Sequence, residues 1–261
     1  MDKFLTNMDI PNHIKEVLQL QQITSIPELK PIRILLITDK ETGVKISNWF
    51  YKYYGNTIHV QDSDDDTLYI RDCNHPDLFI YDGLFDSNHT LKKMFTPFKK
   101  HNLNPITKNI INPPLLSFVT TESGFIDESI DIKEQVMIDD AVYSSFDLVY
   151  VINENSEDLE FDRITVDNIP RKEVTDSIFV YDNSVDDITI GDLDLLRKSF
   201  MPIRVDDEFA PVPRTAIYFT SWVDICKAIT LSNNDKEIDS EHINKCVDLI
   251  YESLRNINVE N

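Results

Sequence analysis

The chain has 261 residues, 41% of them apolar, enough to bury one large core or a core with a smaller attached unit. Its 46 acidic and 25 basic side chains give a net charge of −21, which argues against a nucleic-acid backbone as the main partner, because that binding needs clustered positive charge. Three cysteines (Cys73, Cys226 and Cys246) make an odd, sparse set that suits a reducing compartment, no apolar run approaches transmembrane length, and the N-terminus lacks the layout of a signal peptide, so a soluble intracellular protein is expected.

In chain order, residues 9–22 read as a helix, with Asp9 as a cap, Pro11 in the first turn, and Ile14, Val17 and Leu18 on one face. Ile34–Ile37 is a continuous apolar run of strand length, followed by a polar loop (Thr38–Gly43) and a helix carrying Ile46, Trp49, Phe50 and Tyr53. Thr57–Val60 is a weaker strand, and the acidic run at 62–66 lacks the glycine and distal Glu of a calcium loop. Leu78–Tyr81 is the next buried strand and ends in Asp82-Gly83. A helix is expected over 88–100, then short strands at Leu115–Thr120 and Phe146–Ile152. Beyond residue 165 the pattern turns helical, with helices predicted at Gly191–Phe200, Thr215–Leu231 and Asp239–Asn256, the last capped by Asp239 or Ser240. The expected fold class is therefore α/β: a parallel five-stranded sheet centred on Ile34–Ile37, followed by helices. Cys73-x-His75 looks like half a metal site with no second pair at ligand spacing, so no metal site is expected.

Strand, loop and helix in this order open many nucleotide-binding domains. A phosphate-cradling loop needs glycines that let backbone amides face the phosphates, then a Lys for the β- and γ-phosphates, then a Ser or Thr for magnesium. Here Gly43 remains, but Val44 stands at the Lys position and Lys45 at the Ser/Thr position. Asp82 stands where a nucleoside triphosphatase places its magnesium-binding Asp, yet Gly83 follows in place of the Glu that would polarise water. The bland reading of Asp82 is a turn residue before a glycine.

The order and spacing of these segments resemble the AAA+ domain of the minichromosome-maintenance (MCM) replicative helicases. RILLITDKETGVK resembles the family's LLVGDPGTGKS loop, and IYDGLF stands where IDEFDKM does. NPITKNI is similar to the family's SIAKAGI insert, with Lys108 on its lysine. LSFVTTESGFID resembles LAAANPKYGRYD, and AVYSSFDLVYVINENSEDLEFDR resembles LLSRFDLIFVLLD…DR. PRTAIYFTSWVDICKAITL is similar to the sensor-2 helix PTVRQLEALVRLSEALA. The resemblance spans nearly the whole chain. It implies a three-layer AAA+-like parallel sheet over residues 1–165 and a C-terminal helical lid over 166–261. It also marks the departures: the sensor-1 position is Thr121, the arginine-finger position is Ser145, and the sensor-2 position is Ile217, with Arg214 three residues upstream. Gly43, Val44, Lys45, Asp82, Thr121, Ser145 and Arg214 would thus form a degenerate nucleotide site.

Loss of every charged catalytic group with retention of the apolar strands implies a pseudo-ATPase: no enzyme, no cofactor, and a protein-interaction role in DNA replication or recombination. The implied partner is an MCM subunit or another replication or recombination factor, in the nucleus. Lys45 on the loop side, or Ser144, Ser145 and Phe146 on the finger side, are the candidate interface, because a Lys or Arg buried there without a phosphate would be an unpaired cation. Two alternatives remain open. One is a weak nucleotide binder in which Lys45, Asp82 and Arg214 take shifted roles. The other is a DNA-binding recombination accessory factor using Lys92, Lys93, Lys99, Lys100 and Lys108, which the net charge opposes.

Overall fold

The computed structural model describes residues 10–24, 29, 32–39, 42, 43, 46, 115–121, 123–127, 129, 130, 132–136, 146–152, 185–205 and 217–255, with the backbone of 57–61 and 78–82. Five strands form one sheet: β1 (Arg33–Thr38), β2 (Thr57–Gln61), β3 (Leu78–Asp82), β4 (Leu115–Thr120) and β5 (Leu148–Ile152), in the order β2-β3-β4-β1-β5. Every pairing is parallel. The helices are α1 (Asn12–Ile23), the single turn α2 (Ile132–Gln135), α3 (Leu193–Val205), α4 (Ile217–Ser232) and α5 (Ser240–Arg255). Two short strands, β6 (Thr189–Ile190) and β7 (Glu237–Ile238), pair in parallel beside the last three helices.

The chain is thus an α/β protein built on a parallel sheet. One expectation is corrected. The Ile34–Ile37 strand is not central and does not pair with Leu78–Asp82; β4 holds the middle and separates the two. Nothing in the β1 and β4 runs distinguishes a central strand from its neighbour, because Ile34–Ile37 and Leu116–Val119 are both buried throughout.

The register explains the layering. Ile34 pairs with Leu116 and Leu148, and Leu36 with Phe118 and Tyr150, so these side chains share one face. They belong to a buried hydrophobic cluster that also takes in Ile14, Val17, Leu18 and Ile23 of α1, Leu196 and Phe200 of α3, Trp222, Ile225 and Ile229 of α4, and Ile243, Cys246 and Ile250 of α5. The opposite face of β1, carrying Leu35 and Ile37, is equally buried. A parallel sheet covered on both sides requires continuous rather than alternating apolar strands, which is what β1 shows.

Polar side chains fix how the helices meet the sheet. Gln21 Nε2 donates to the Ile32 carbonyl (3.0 Å), and the Ile32 amide donates to Thr24 Oγ1 (3.0 Å), clamping the end of α1 to the start of β1. Pro11 lies just before α1, where its carbonyl accepts from the Ile14 and Lys15 amides; Asp9, expected as the cap, lies outside the described residues. Along the outer edge of β5, Ser253 Oγ accepts from the Val149 amide (2.9 Å) and donates to the Val149 carbonyl (2.7 Å), while Tyr150 donates its hydroxyl to the Leu249 carbonyl (2.9 Å). Ser253 of α5 therefore satisfies the amide and carbonyl of Val149, which an exposed edge would leave open. Asp239 is the α5 cap: its Oδ1 accepts from the amides of Glu241 (2.9 Å) and His242 (3.1 Å).

Cys226 and Cys246 are buried free thiols between α4 and α5, and burial, with Cys226 alongside, pushes the Cys246 thiol up. The helices predicted at 191–200, 215–231 and 239–256 correspond to α3, α4 and α5. The helix expected at 88–100 and the Cys73-x-His75 pair lie outside the described residues.

Candidate functional site: a closed loop at the carboxyl end of the sheet

In a parallel sheet the loops after the strands gather at one edge, where ligands of α/β proteins bind. Thr38 at the end of β1 pairs with Thr120 at the end of β4, so Asp39 and Thr121 leave the sheet side by side. Asp82, the last residue of β3, pairs with Phe118 and reaches the same end. The structure thus brings the Gly43 loop, Thr121 and the Asp82 backbone together. Phe146 precedes β5 at the opposite end, about 17 Å away for a strand of this length. Val44, Lys45, Ser144, Ser145 and Arg214 lie outside the described residues.

At the end of β1, Asp39 is bonded to Thr42 and Gly43. Thr38 Oγ1 donates to the Asp39 carbonyl (2.7 Å). Asp39 Oδ1 accepts the Thr42 amide (2.9 Å), and the Asp39 carbonyl accepts the Gly43 amide (3.1 Å). Both bonds are those of a helix N-cap, and Thr42, Gly43 and Ile46 are helical. Asp39 is therefore an N-cap for the helical residues Thr42 and Gly43. Gly43 has a packing reason to be glycine: a Cβ there would sit 2.9 Å from Thr38 Oγ1 and 3.9 Å from the Phe118 Cβ.

Thr121 is also turned inward. It is buried, and its Oγ1 donates to the Phe125 carbonyl (2.5 Å), which also accepts from Ser123 Oγ (2.7 Å). Gly124, at φ +82°, lets the chain double back, and its amide donates to the Thr121 carbonyl. Gln135 completes the brace: its Oε1 accepts from the Asp127 amide, and its Nε2 donates to the carbonyls of Asp127 and Ile130, each at 2.7 Å. Two hydrogen bonds from Ser129, side chain first and then backbone, hold the Asp127 carboxyl below its ordinary value. Phe125 is left pointing out, 61% exposed.

At the amino end, Phe146 is buried within its own chain. Next to it, Asp147 Oδ2 accepts the Arg33 amide (2.9 Å), its amide donates to the Arg33 carbonyl (2.9 Å), and Oδ1 accepts a short bond from Ser221 Oγ of α4 (2.5 Å). Burial pushes the Arg33 guanidinium down from its ordinary value, and the charge of Asp147 opposes that shift. Asp39 and Asp147 are the two residues that sequence reasoning passed over. Asp39 was recoverable, as the first polar residue between an apolar strand and a helix. Asp147 carried no such signal, since Arg33 and Ser221, to which it bonds, are 114 and 74 residues away.

Among the described residues no group of three or more His, Cys, Asp or Glu side chains is placed to hold a metal ion, and no helix is long and apolar enough to cross a membrane. No protein-family model matches the chain, and no curated protein matches it.

Proposed function

We propose that this protein is a catalytically inactive AAA+-like domain of the MCM type that serves as a protein-interaction or regulatory module in DNA replication or recombination. The observation that carries the reading is the strand order β2-β3-β4-β1-β5. It sets β4 between β1 and β3, so that the residues after β1, Thr121 and the Asp82 end of β3 reach one edge of a parallel sheet, with β5 on the far side of β1. That edge supports reading these positions as a former nucleotide site. On this reading residues 1–165 are the AAA+-like core and 166–261 the lid, with α3 to α5 its helices.

The absence of turnover follows from chemistry. With Val44 for the phosphate Lys, Gly83 for the catalytic Glu and Ser145 for the arginine finger, these three positions supply neither cation nor base to a transferring phosphoryl group, and an arginine finger alone is worth roughly 10³–10⁵ in rate. The role left to such a scaffold is contact. The faces proposed for a protein partner are the loop side near Val44 and Lys45 and the finger side near Ser144 and Ser145. A nuclear site of action rests on the resemblance alone.

Two measurements test this. The purified protein should show no magnesium-dependent ATP hydrolysis; turnover that disappears in Lys45→Ala would overturn the pseudo-ATPase. Affinity purification followed by binding of the identified partner to Lys45→Glu and Ser145→Arg should show weakening in at least one variant. If both fold and bind with unchanged affinity, the interface lies elsewhere.

A further inference from the structure

We infer that two copies of this chain pair through the outer face of α3, helix against antiparallel helix about a two-fold axis beside Arg197. The contact uses none of the residues proposed above for a protein partner, and it does not depend on that reading.

Helix α3 turns Leu196 and Phe200 into the shared core and leaves Leu193, Asp194, Arg197, Lys198 and Met201 exposed. Leu193, Arg197 and Met201 fall four residues apart and form one stripe, with Asp194 and Lys198 beside it. Leu193 is 41% exposed, Met201 51%, and Ile190, just before the helix, 37%. Half of the six large apolar side chains exposed among the described residues thus lie within 190–201. Scattered singly they would need no explanation; gathered along one helix they mark a contact surface. The charges are a second, independent observation. Arg197, Lys198 and Asp194 make no ion pair among the described residues, although the chain carries a net charge of −21.

An antiparallel second copy answers both observations. With the axis beside Arg197, Leu193 lies level with Met201 of the other copy, and the symmetry repeats the contact. At 1.5 Å of rise per residue, Asp194 then stands about 3 Å along the axis from Lys198 of the other copy and about 4.5 Å from its Arg197. One stripe therefore carries both halves of each apolar contact and both signs of each ion pair. A chain this acidic repels its own kind at long range. Self-contact belongs where unpaired cations can meet carboxylates, and α3 supplies both.

The test is sedimentation equilibrium of the full chain at physiological salt. One helix face makes a small and therefore weak interface, so the wild-type protein should approach twice the mass of one chain at roughly 100 μM. Met201→Glu and Leu193→Glu should each raise the dimer dissociation constant at least ~tenfold. Lys198→Glu should weaken the pair as well, and the exchange Asp194→Lys with Lys198→Glu should restore it, which a contact elsewhere on the molecule would not do. All of these side chains are exposed, so each variant should keep the wild-type circular dichroism spectrum. A wild-type protein that stays monomeric at that concentration overturns the inference, even where the same face captures a different protein. So does a dimer that persists in both folded Glu variants, or an exchange variant no tighter than Lys198→Glu alone.

Discussion

At the carboxyl end of the sheet, the side-chain hydrogen bonds among the described residues go to close neighbours in sequence. Asp39 reaches Thr42, Thr121 reaches Phe125, and Gln135 reaches Asp127, separations of 3, 4 and 8 residues. At the amino end and along β5 the partners are remote. Asp147 binds Arg33 across 114 residues and Ser221 across 74, and Ser253 binds Val149 across 104. Local bonds shape a loop without reference to the rest of the molecule, whereas remote bonds can form only once the fold exists. The end where α/β proteins usually bind ligands is therefore the self-contained one, and the end without that role ties the helices to the sheet.

The sharpest way to break this contrast is to attack the shared core. Trp222, fully buried and edge-on to Phe200 at 5.4 Å, should cost about 3–5 kcal/mol when replaced by Ala. Urea unfolding followed by circular dichroism should move as one transition; a sheet that melts at an unchanged midpoint would show that the helices and β1 do not share a core. Asp147→Ala comes next, at about 3 kcal/mol, because it removes the acceptor that both the Arg33 amide and the Ser221 hydroxyl use. Ser253→Ala should lose about 1–3 kcal/mol and raise hydrogen exchange at the Val149 amide.

At the other end, Thr121→Val should cost no more than about 1 kcal/mol, since Ser123 still donates to the Phe125 carbonyl. A larger loss there than at Asp147 would reverse the comparison. The smallest effect is expected at acid pH. Asp239 is held below its ordinary value first by the His242 amide, with the His242 charge also favouring the carboxylate. Its folded value lies below its unfolded one, so the contribution is fully present above the unfolded value and fades as pH falls through the folded one. Exchange at the Glu241 and His242 amides should rise over that acidic window and not at neutral pH.

The elements were legible for a physical reason. Strands β1, β4 and β5 are apolar runs of strand length, and the three late helices show helical spacing with a readable cap at Asp239. The order of strands was not legible, because LLSFVT and RILLIT present the same buried pattern, and only crossovers through distant residues decide which lies between which. In the candidate site, Gly43 was noticed as a glycine of a phosphate loop, while the structure gives it a steric neighbour in Thr38. Asp147 was read as one letter of a motif. Its role depends on Arg33 and Ser221, and no window along the chain contains all three.

The cover on the β5 edge also sets a timetable. Ser253 lies 104 residues beyond Val149. At about 5–20 residues per second, a ribosome takes roughly 5 to 20 s to deliver the second after the first. For that interval the Val149 amide and carbonyl lack their Ser253 partner, and the edge they belong to is completed only by the last helix to be made.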